Sequence, residues 1–262
     1  MLLANKAAII TGAASGMGRG IAIRFAEEGC SSVVTDVNEA GGMKTVEEVK
    51  KKGKDAIFVQ CDVSNSQQVK NLVNQAISKF GKIDIMANCA GMGTPGRPLL
   101  ETTEEEWDRV VDINMKGMFL CCQAIAPHMM KNNSGNIINI VSLAALGGMP
   151  NSIHYAASKA GALSVSRCVA AALSPYNVRV NAILPGMIRT GMSAVFAGPN
   201  VKDVDAFYVN MAKGQALGRI GTTDDIASAA LFLASDLSSY ITGDAISVGG
   251  GGGRMGGGPR PA

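Results

Sequence analysis

The sequence predicts an α/β fold: one domain built on a doubly wound, parallel, seven-stranded sheet with helices on both faces. Three observations predict it. Short apolar runs rich in strand-forming residues alternate with longer segments of helical period along the 262 residues. Such alternation makes parallel strands joined by right-handed crossovers. The short runs are continuously apolar, as expected when helices cover both faces of a sheet. The length and a hydrophobic content of 47% suffice for one large core.

The elements follow in order. Ala7–Ile10 reads as a strand and Gly16–Glu28 as a helix with Ile21, Ile23 and Phe25 among its apolar positions. Ser32–Asp36 is the second strand. Glu39–Lys52 is an amphipathic helix, acidic early and lysine-rich late, which suits the helix dipole. Ala56–Gln60, Ile83–Ala87 and Asn136–Val141 are strands, separated by a helix over Gln67–Phe80 and a long helical region over Thr103–Lys131. A helix over Tyr155–Leu173 leads to a strand over Val178–Leu184, and a helix over Thr222–Ala234 leads to the last strand, Ala245–Val248. Two segments stand outside the alternation. Residues 187–221 are long and mixed, the kind of loop that covers a binding site. Residues 1–250 thus form the domain, and residues 251–262 belong to a Gly-rich tail expected to be flexible.

Composition excludes several classes. A net charge of +3, from 24 basic and 21 acidic residues, offers no electrostatic case for nucleic acid or a membrane surface. The six cysteines match no zinc spacing and no CxxC pair, so no metal is expected and a reducing, cytoplasmic setting fits. The N-terminus lacks a signal-peptide pattern. No apolar run reaches the ~18 residues of a membrane span.

The segment IITGAASGMGRG joins the first strand to the first helix, with Gly12, Gly16 and Gly18 spaced G-x-x-x-G-x-G. Glycine spacing alone also fits a plain strand-to-helix turn. In this position it suits a phosphate cradle: the glycines permit the turn and close backbone approach, and the helix N-terminus offers free N–H groups. This is the arrangement of a Rossmann fold. Asp36 ends the second strand about 20 residues on, where a carboxylate would hold a ribose 2′-hydroxyl. A 2′-phosphate ~4 Å away would cost ~4 kcal/mol per unit charge pair at an effective dielectric of ~20. Neither Ser15 nor Val37 supplies a cation, and Arg19 is the nearest basic residue. NAD is therefore the expected cofactor.

These residues resemble the short-chain dehydrogenase/reductase family, and the resemblance runs over nearly the whole chain. TGAASGMG is similar to the family's TGxxxGxG loop, which brings in Gly12, Ser15, Gly16, Met17 and Gly18. CDVS resembles the segment beside adenine, with Asp62 and Val63, while Asp36 and Val37 flank the ribose. NCAG, at Asn88, Cys89, Ala90 and Gly91, is similar to NNAG with Cys89 in place of Asn. DINMKG puts Asn114, NIVSLAA puts Ser142, and YAASK puts Tyr155 and Lys159 at the family's catalytic positions. LPGMIRT puts Pro185, Gly186, Ile188 and Thr190 where the family grips the nicotinamide carboxamide. Gly249 departs from the pattern, since the family often has Asp there.

The resemblance implies that Tyr155 is the general acid or base, that Ser142 fixes the substrate oxygen, that Lys159 bonds the nicotinamide ribose, and that Asn114 supports a water leading to Lys159. Tyr155 and Lys159 are four apart, hence on one helix face. An ammonium ~5 Å from the phenol would supply ~3 of the ~4 kcal/mol needed to bring its pKa near 7. Lys159 is accordingly expected to lower the pKa of Tyr155.

The substrate side is expected to include Gly93, Ala144, Met149, His154, Met187 and Met192, with Met92, Phe196, Phe207 and Tyr208 also in reach. Methionines make an adaptable apolar wall, which favours a hydrophobic, alicyclic or steroid-like secondary alcohol or ketone. Two other readings compete: an NADPH-dependent 3-oxoacyl carrier-protein reductase, against which Asp36 argues, and a non-catalytic NAD-binding protein, against which the Asn114–Ser142–Tyr155–Lys159 set argues. A homotetramer is expected, assembled through the helices over Thr103–Lys131 and Tyr155–Leu173, whose small residues Ala156, Ala157, Ala160, Gly161 and Ala162 permit close approach.

Overall fold

The computed structural model describes residues 1–195 and 203–252. Seven strands, β1 (Ala7–Thr11), β2 (Ser31–Asp36), β3 (Ala56–Gln60), β4 (Ile85–Asn88), β5 (Gly135–Ile140), β6 (Val178–Pro185) and β7 (Ala245–Val248), form one sheet in the order β3-β2-β1-β4-β5-β6-β7. Every pairing is parallel. The helices among the described residues are α1 (Gly16–Glu27), α2 (Glu39–Lys51), α3 (Ser66–Phe80), α4 (Glu104–Val111), α5 (Gly117–Lys131), α6 (Ile153–Leu173), α7 (Gly191–Val195), α8 (Val204–Lys213) and α9 (Thr223–Ala234).

The continuous apolar strands feed one main core on each face because successive side chains point to opposite faces, and a third, smaller cluster gathers around Leu163 and Leu184. Ile10, Val34, Ile85, Ile138 and Ile183 point to the side covered by Phe25 of α1, Val46 and Val49 of α2, and Leu231 of α9. Ile9, Val33, Met86, Ile137 and Val180 point to the side covered by Leu72 of α3, Ile125 and Met129 of α5, and Leu173 of α6. Burial of each such side chain stabilises by roughly 1.5–3 kcal/mol. The strand order reverses beside β1, where β2 lies on one side and β4 on the other. The carboxyl ends of β1 and β4 therefore open a crevice, the usual ligand position in such sheets.

The structure corrects three local expectations. The long helix over Thr103–Lys131 is interrupted by one wide π-type turn at Asp112–Lys116. Such turns insert a residue into the helical ladder without ending the helix, so the apolar period does not reveal them. Residues 187–221 are not a bare loop: they carry α7 and α8, and Ile188 bridges Gly221 in parallel. Strand β4 begins at Ile85, because Ile83 N–H is instead donated to Nε2 of His128 at 3.0 Å. Of the Gly-rich tail, Gly251 and Gly252 lie in a turn, and residues 253–262 fall outside the described residues.

That last contact makes stability depend on pH. Nε2 of His128 accepts the Ile83 N–H and therefore must stay unprotonated. Burial first, then the Lys82 and Lys131 charges, hold its pKa below the usual imidazole value, with Asp84 opposing. The unfolded chain thus takes up this proton at a higher pH than the folded one. The contribution is intact above the unfolded pKa of about 6.5 and is lost as pH falls below it. Thermal melts between about pH 7 and about pH 5 should show a steeper fall in Tm for the native chain than for His128→Gln. Equal slopes would rule this out.

Candidate active site at the carboxyl ends of the strands

The phosphate loop is built by close backbone packing. Gly12 adopts φ +65°, and a Cβ there would lie 2.7 Å from the Cα of Ala90. A Cβ on Gly18 would strike the carbonyl of Gly12. Thr11 fixes the facing strand, its hydroxyl accepting the N–H groups of Cys89 and Ala90, each at 3.0 Å. Helices α2, α3, α4, α8 and α9 are closed by side-chain caps from Asn38, Asn65, Thr103, Asp203 and Thr222. Helix α1 begins at Ser15 with no side-chain cap and no acidic residue in its first turn. Its N–H groups therefore remain available to an anion, which fits a dinucleotide pyrophosphate.

Asp36 is held by two main-chain donors, Ala14 N–H to Oδ2 and Asn38 N–H to Oδ1, both at 3.0 Å. Arg19 does reach this region. Its guanidinium donates to the carbonyls of Ala14 and Gly41 and to the Thr45 hydroxyl, all uncharged acceptors. The Thr45 hydroxyl in turn donates to the Ala13 carbonyl at 2.8 Å. Residues 13 and 14 are thereby stitched to β2 and α2. Asp62 spends Oδ1 on the N–H and hydroxyl of Ser64, and Val63 is buried against Gly117 while Val37 is exposed. Asn88 turns its side chain inward to Asn139 and Cys122, leaving its main chain beside the crevice.

At the opposite end, Gly186 donates to Val248 O and packs its backbone on Gly249. A Cβ on Gly249 would meet the Cδ1 of Leu143, so a side chain there would require Leu143 to shift. Pro185 ends β6 and Ile188 is buried. Thr190 faces the phosphate loop, with its Cγ2 3.6 Å from where a Cβ of Gly16 would lie. The two segments expected to hold the ends of a dinucleotide thus face one another across the crevice.

Asn114, Ser142, Tyr155 and Lys159 come together beside Gly91. Asn114 sits in the wide turn and exchanges both hydrogen bonds with the main chain of Met92, accepting N–H at 2.8 Å and donating to O at 3.0 Å. It also donates to Ser158, whose hydroxyl donates to Tyr155 O. A Cβ on Gly91 would lie 3.1 Å from Asn114 Oδ1 and 3.4 Å from Lys159 Nζ, so any side chain there would crowd both groups. Ser142 follows β5 and caps the short turn Leu143–Leu146, its Oγ accepting Ala144 N–H at 3.1 Å. Lys159 is buried, donates to Ile140 O at 3.2 Å, and lies 5.8 Å from the Tyr155 ring centroid.

The expected electrostatics need one correction. Burial pushes the Tyr155 phenol above its usual range, and the hydrogen bond from Ser142 opposes it only partly. Burial also pushes Lys159 down to about 8. Within the chain alone, desolvation dominates at Tyr155, so the phenol lies above its usual range rather than below it, opposite to the expected direction.

Gly93, Ala144, Met149, Met187 and Met192 are half-buried in the segments flanking this group. His154 is not presented to the crevice: it is fully buried, with Nε2 2.7 Å from the Thr94 hydroxyl. Tyr208 is also buried, its hydroxyl bonded to Ser193 and Thr190 O, so it ties α8 to α7. Phe196 lies outside the described residues. Sequence reasoning missed Thr11 and Thr94. The first sits in the TG of the loop and was legible there; the second carries no motif.

A family model described as Enoyl-(Acyl carrier protein) reductase matches residues 12–252. The chain is 41% identical over 251 residues to 3-oxoacyl-[acyl-carrier-protein] reductase FabG of Chlamydia muridarum, covering 95% of this chain and 98% of that one. It is 38% identical to the (2S)-[(R)-hydroxy(phenyl)methyl]succinyl-CoA dehydrogenase subunit BbsD of Thauera aromatica, covering 96% and 98%. The solved structure of carveol dehydrogenase from Mycobacterium avium in complex with NAD superposes with a TM-score of 0.91 at 30% identity, covering 95% and 98%. By the match of residues 12–252 and by these relatives, the chain belongs to the short-chain dehydrogenase/reductase family of oxidoreductases.

Proposed function

We propose that this protein is an NAD(H)-dependent oxidoreductase that interconverts a secondary alcohol and its ketone, with a hydrophobic or alicyclic substrate. The observation that carries the reading is the grouping of Tyr155, Ser142 and Lys159 at the carboxyl ends of the strands. NAD, held by the phosphate loop, Asp36 and the Pro185–Thr190 segment, supplies the hydride acceptor or donor. Tyr155 gives its proton to the carbonyl oxygen during reduction and takes it back during oxidation. Ser142 holds that oxygen beside the phenol, which limits the approach to one geometry. Lys159 remains largely cationic below its pKa of about 8 and favours the phenolate. Asn114 holds Met92 and thus the Gly91 gap beside Lys159.

NAD is preferred because Asp36 is oriented by two backbone donors to accept from a diol, while the Arg19 bonds go to neutral groups. A second reading, reduction of a 3-oxoacyl carrier-protein thioester with NADPH, is favoured by the name of the relative from Chlamydia muridarum. Cofactor absorbance kinetics with NAD and NADP across secondary alcohols, hydroxysteroids and 3-oxoacyl thioesters separates the two. NADPH preference with a thioester would displace the first reading. Assembly is proposed through the exposed small residues of α6, among them Ala157 and Ala160, as a homotetramer. Sedimentation showing only monomer at micromolar concentration would exclude it.

Three substitutions follow. Asp36→Ala should reduce the preference for NAD over NADP by roughly a hundredfold to a thousandfold in kcat/KM; an unchanged ratio would remove Asp36 as the determinant. Tyr155→Phe should lower turnover by roughly a hundredfold or more while leaving the Kd for NAD near that of the native chain. Lys159→Met should abolish turnover yet raise Tm by a few degrees near pH 7. The sign follows from its lowered pKa: the buried cation destabilises the fold below about pH 8, and the penalty is relieved as pH rises toward the usual lysine value. A lower Tm for Lys159→Met would contradict this.

A further inference from the structure

The loop after β4 is anchored at two points on the side where Tyr155 stands. Met92 is held by Asn114 through a reciprocal pair of hydrogen bonds. Two residues on, the Thr94 hydroxyl pairs with Nε2 of His154 at 2.7 Å, and both side chains are buried. His154 immediately precedes Tyr155 on α6. Gly93 lies between the two anchors. Farther along, Arg97 N–H donates to Asn151 O at 2.8 Å, and its guanidinium pairs with Glu106 of α4 at 2.7 Å.

The chain retains His154 at a cost. The residue is fully buried, and Nδ1 has no hydrogen-bond partner among the described residues. An apolar residue in that place would avoid an unpaired buried polar atom, which is unfavourable. What the imidazole supplies in return is a polar bond from the residue next to Tyr155 to the loop that carries Gly93.

We infer that His154 is a positioning residue: through Thr94 it fixes the 92–94 wall relative to the Tyr155 phenol and thereby sets how a substrate fits. This rests on the proposed chemistry at Tyr155 for its functional consequence, and on geometry alone for the clamp. His154 touches no reacting atom, so its removal should appear in substrate fit more than in the chemical step. Asp36, which would hold the adenosine ribose, is bonded to Ala14 and Asn38 and makes no contact with His154.

The test uses the full-length protein. Thr94→Val keeps the shape and removes the hydroxyl, Thr94→Ser keeps the hydroxyl, and His154→Phe removes the imidazole. Hydrogen exchange of residues 92–98 and steady-state kinetics are measured on each. Thr94→Val and His154→Phe should lose exchange protection in that segment, with α6 still protected. Both should raise KM for the responsive alcohol roughly tenfold, the fold-change of one net hydrogen bond. Their kcat should change less, and the Kd for NAD should not move. Thr94→Ser should restore both readouts. Unchanged exchange in Thr94→Val overturns the clamp whatever the activity, and that variant answers the question even if His154→Phe does not fold. Lost protection with unchanged KM overturns the positioning role. Lost protection in a protein that turns over no alcohol or ketone leaves the clamp standing and removes the proposed reaction instead.

Discussion

The site depends on one steric constraint, the approach of the Gly12 backbone to Ala90. Any side chain at Gly12 would push the carboxyl ends of β1 and β4 apart. Those ends are the two walls of the crevice. Thr11 adds the polar half of the same constraint by taking both main-chain donors after β4. With the walls fixed, Gly91 presents a gap toward Asn114 and Lys159, and α1 starts directly over the opening. The backbone therefore sets the position of the pocket, and the side chains set its chemistry.

The site is also a place where stability is given up. Lys159 is buried without a carboxylate partner among the described residues, so its charge is held there at a cost. His154 keeps a bare ring nitrogen. The remaining structure carries these penalties through two continuous apolar cores and a fully parallel sheet. A desolvated, shifted ionisable group such as Lys159 at a crevice is a common mark of a functional centre.

Most of the fold was legible because its signal is periodic. Ile9 and Ile10 belong to different cores, so a run apolar at every position meant a sheet covered twice. The placement of Asp36 at the end of β2 follows from its distance from the glycine loop, and YAASK, through the family resemblance, points to Tyr155 and Lys159, which the structure places on α6. The π-type turn that holds Asn114 was not legible, since one extra residue in a ladder leaves composition and period nearly unchanged. Nor was the inward turn of His154. Its partner Thr94 lies 60 residues away in sequence, and nothing local distinguishes a histidine that faces a substrate from one that faces a loop. The burial that raises the Tyr155 pKa within the chain alone is hidden for a related reason: helical spacing shows charge proximity, whereas desolvation depends on the whole fold.

The backbone contact between Gly186 and Gly249 has a consequence for local opening. The Gly186 N–H is bonded to the Val248 carbonyl, and among the described residues β7 pairs with β6 alone. An edge element held from one side opens at a lower free energy than the strands at the centre of a sheet. Opening of β7 would release the backbone under the Pro185–Thr190 segment while both main cores stay closed. Loss of this wall of the crevice and loss of the fold are therefore separate events.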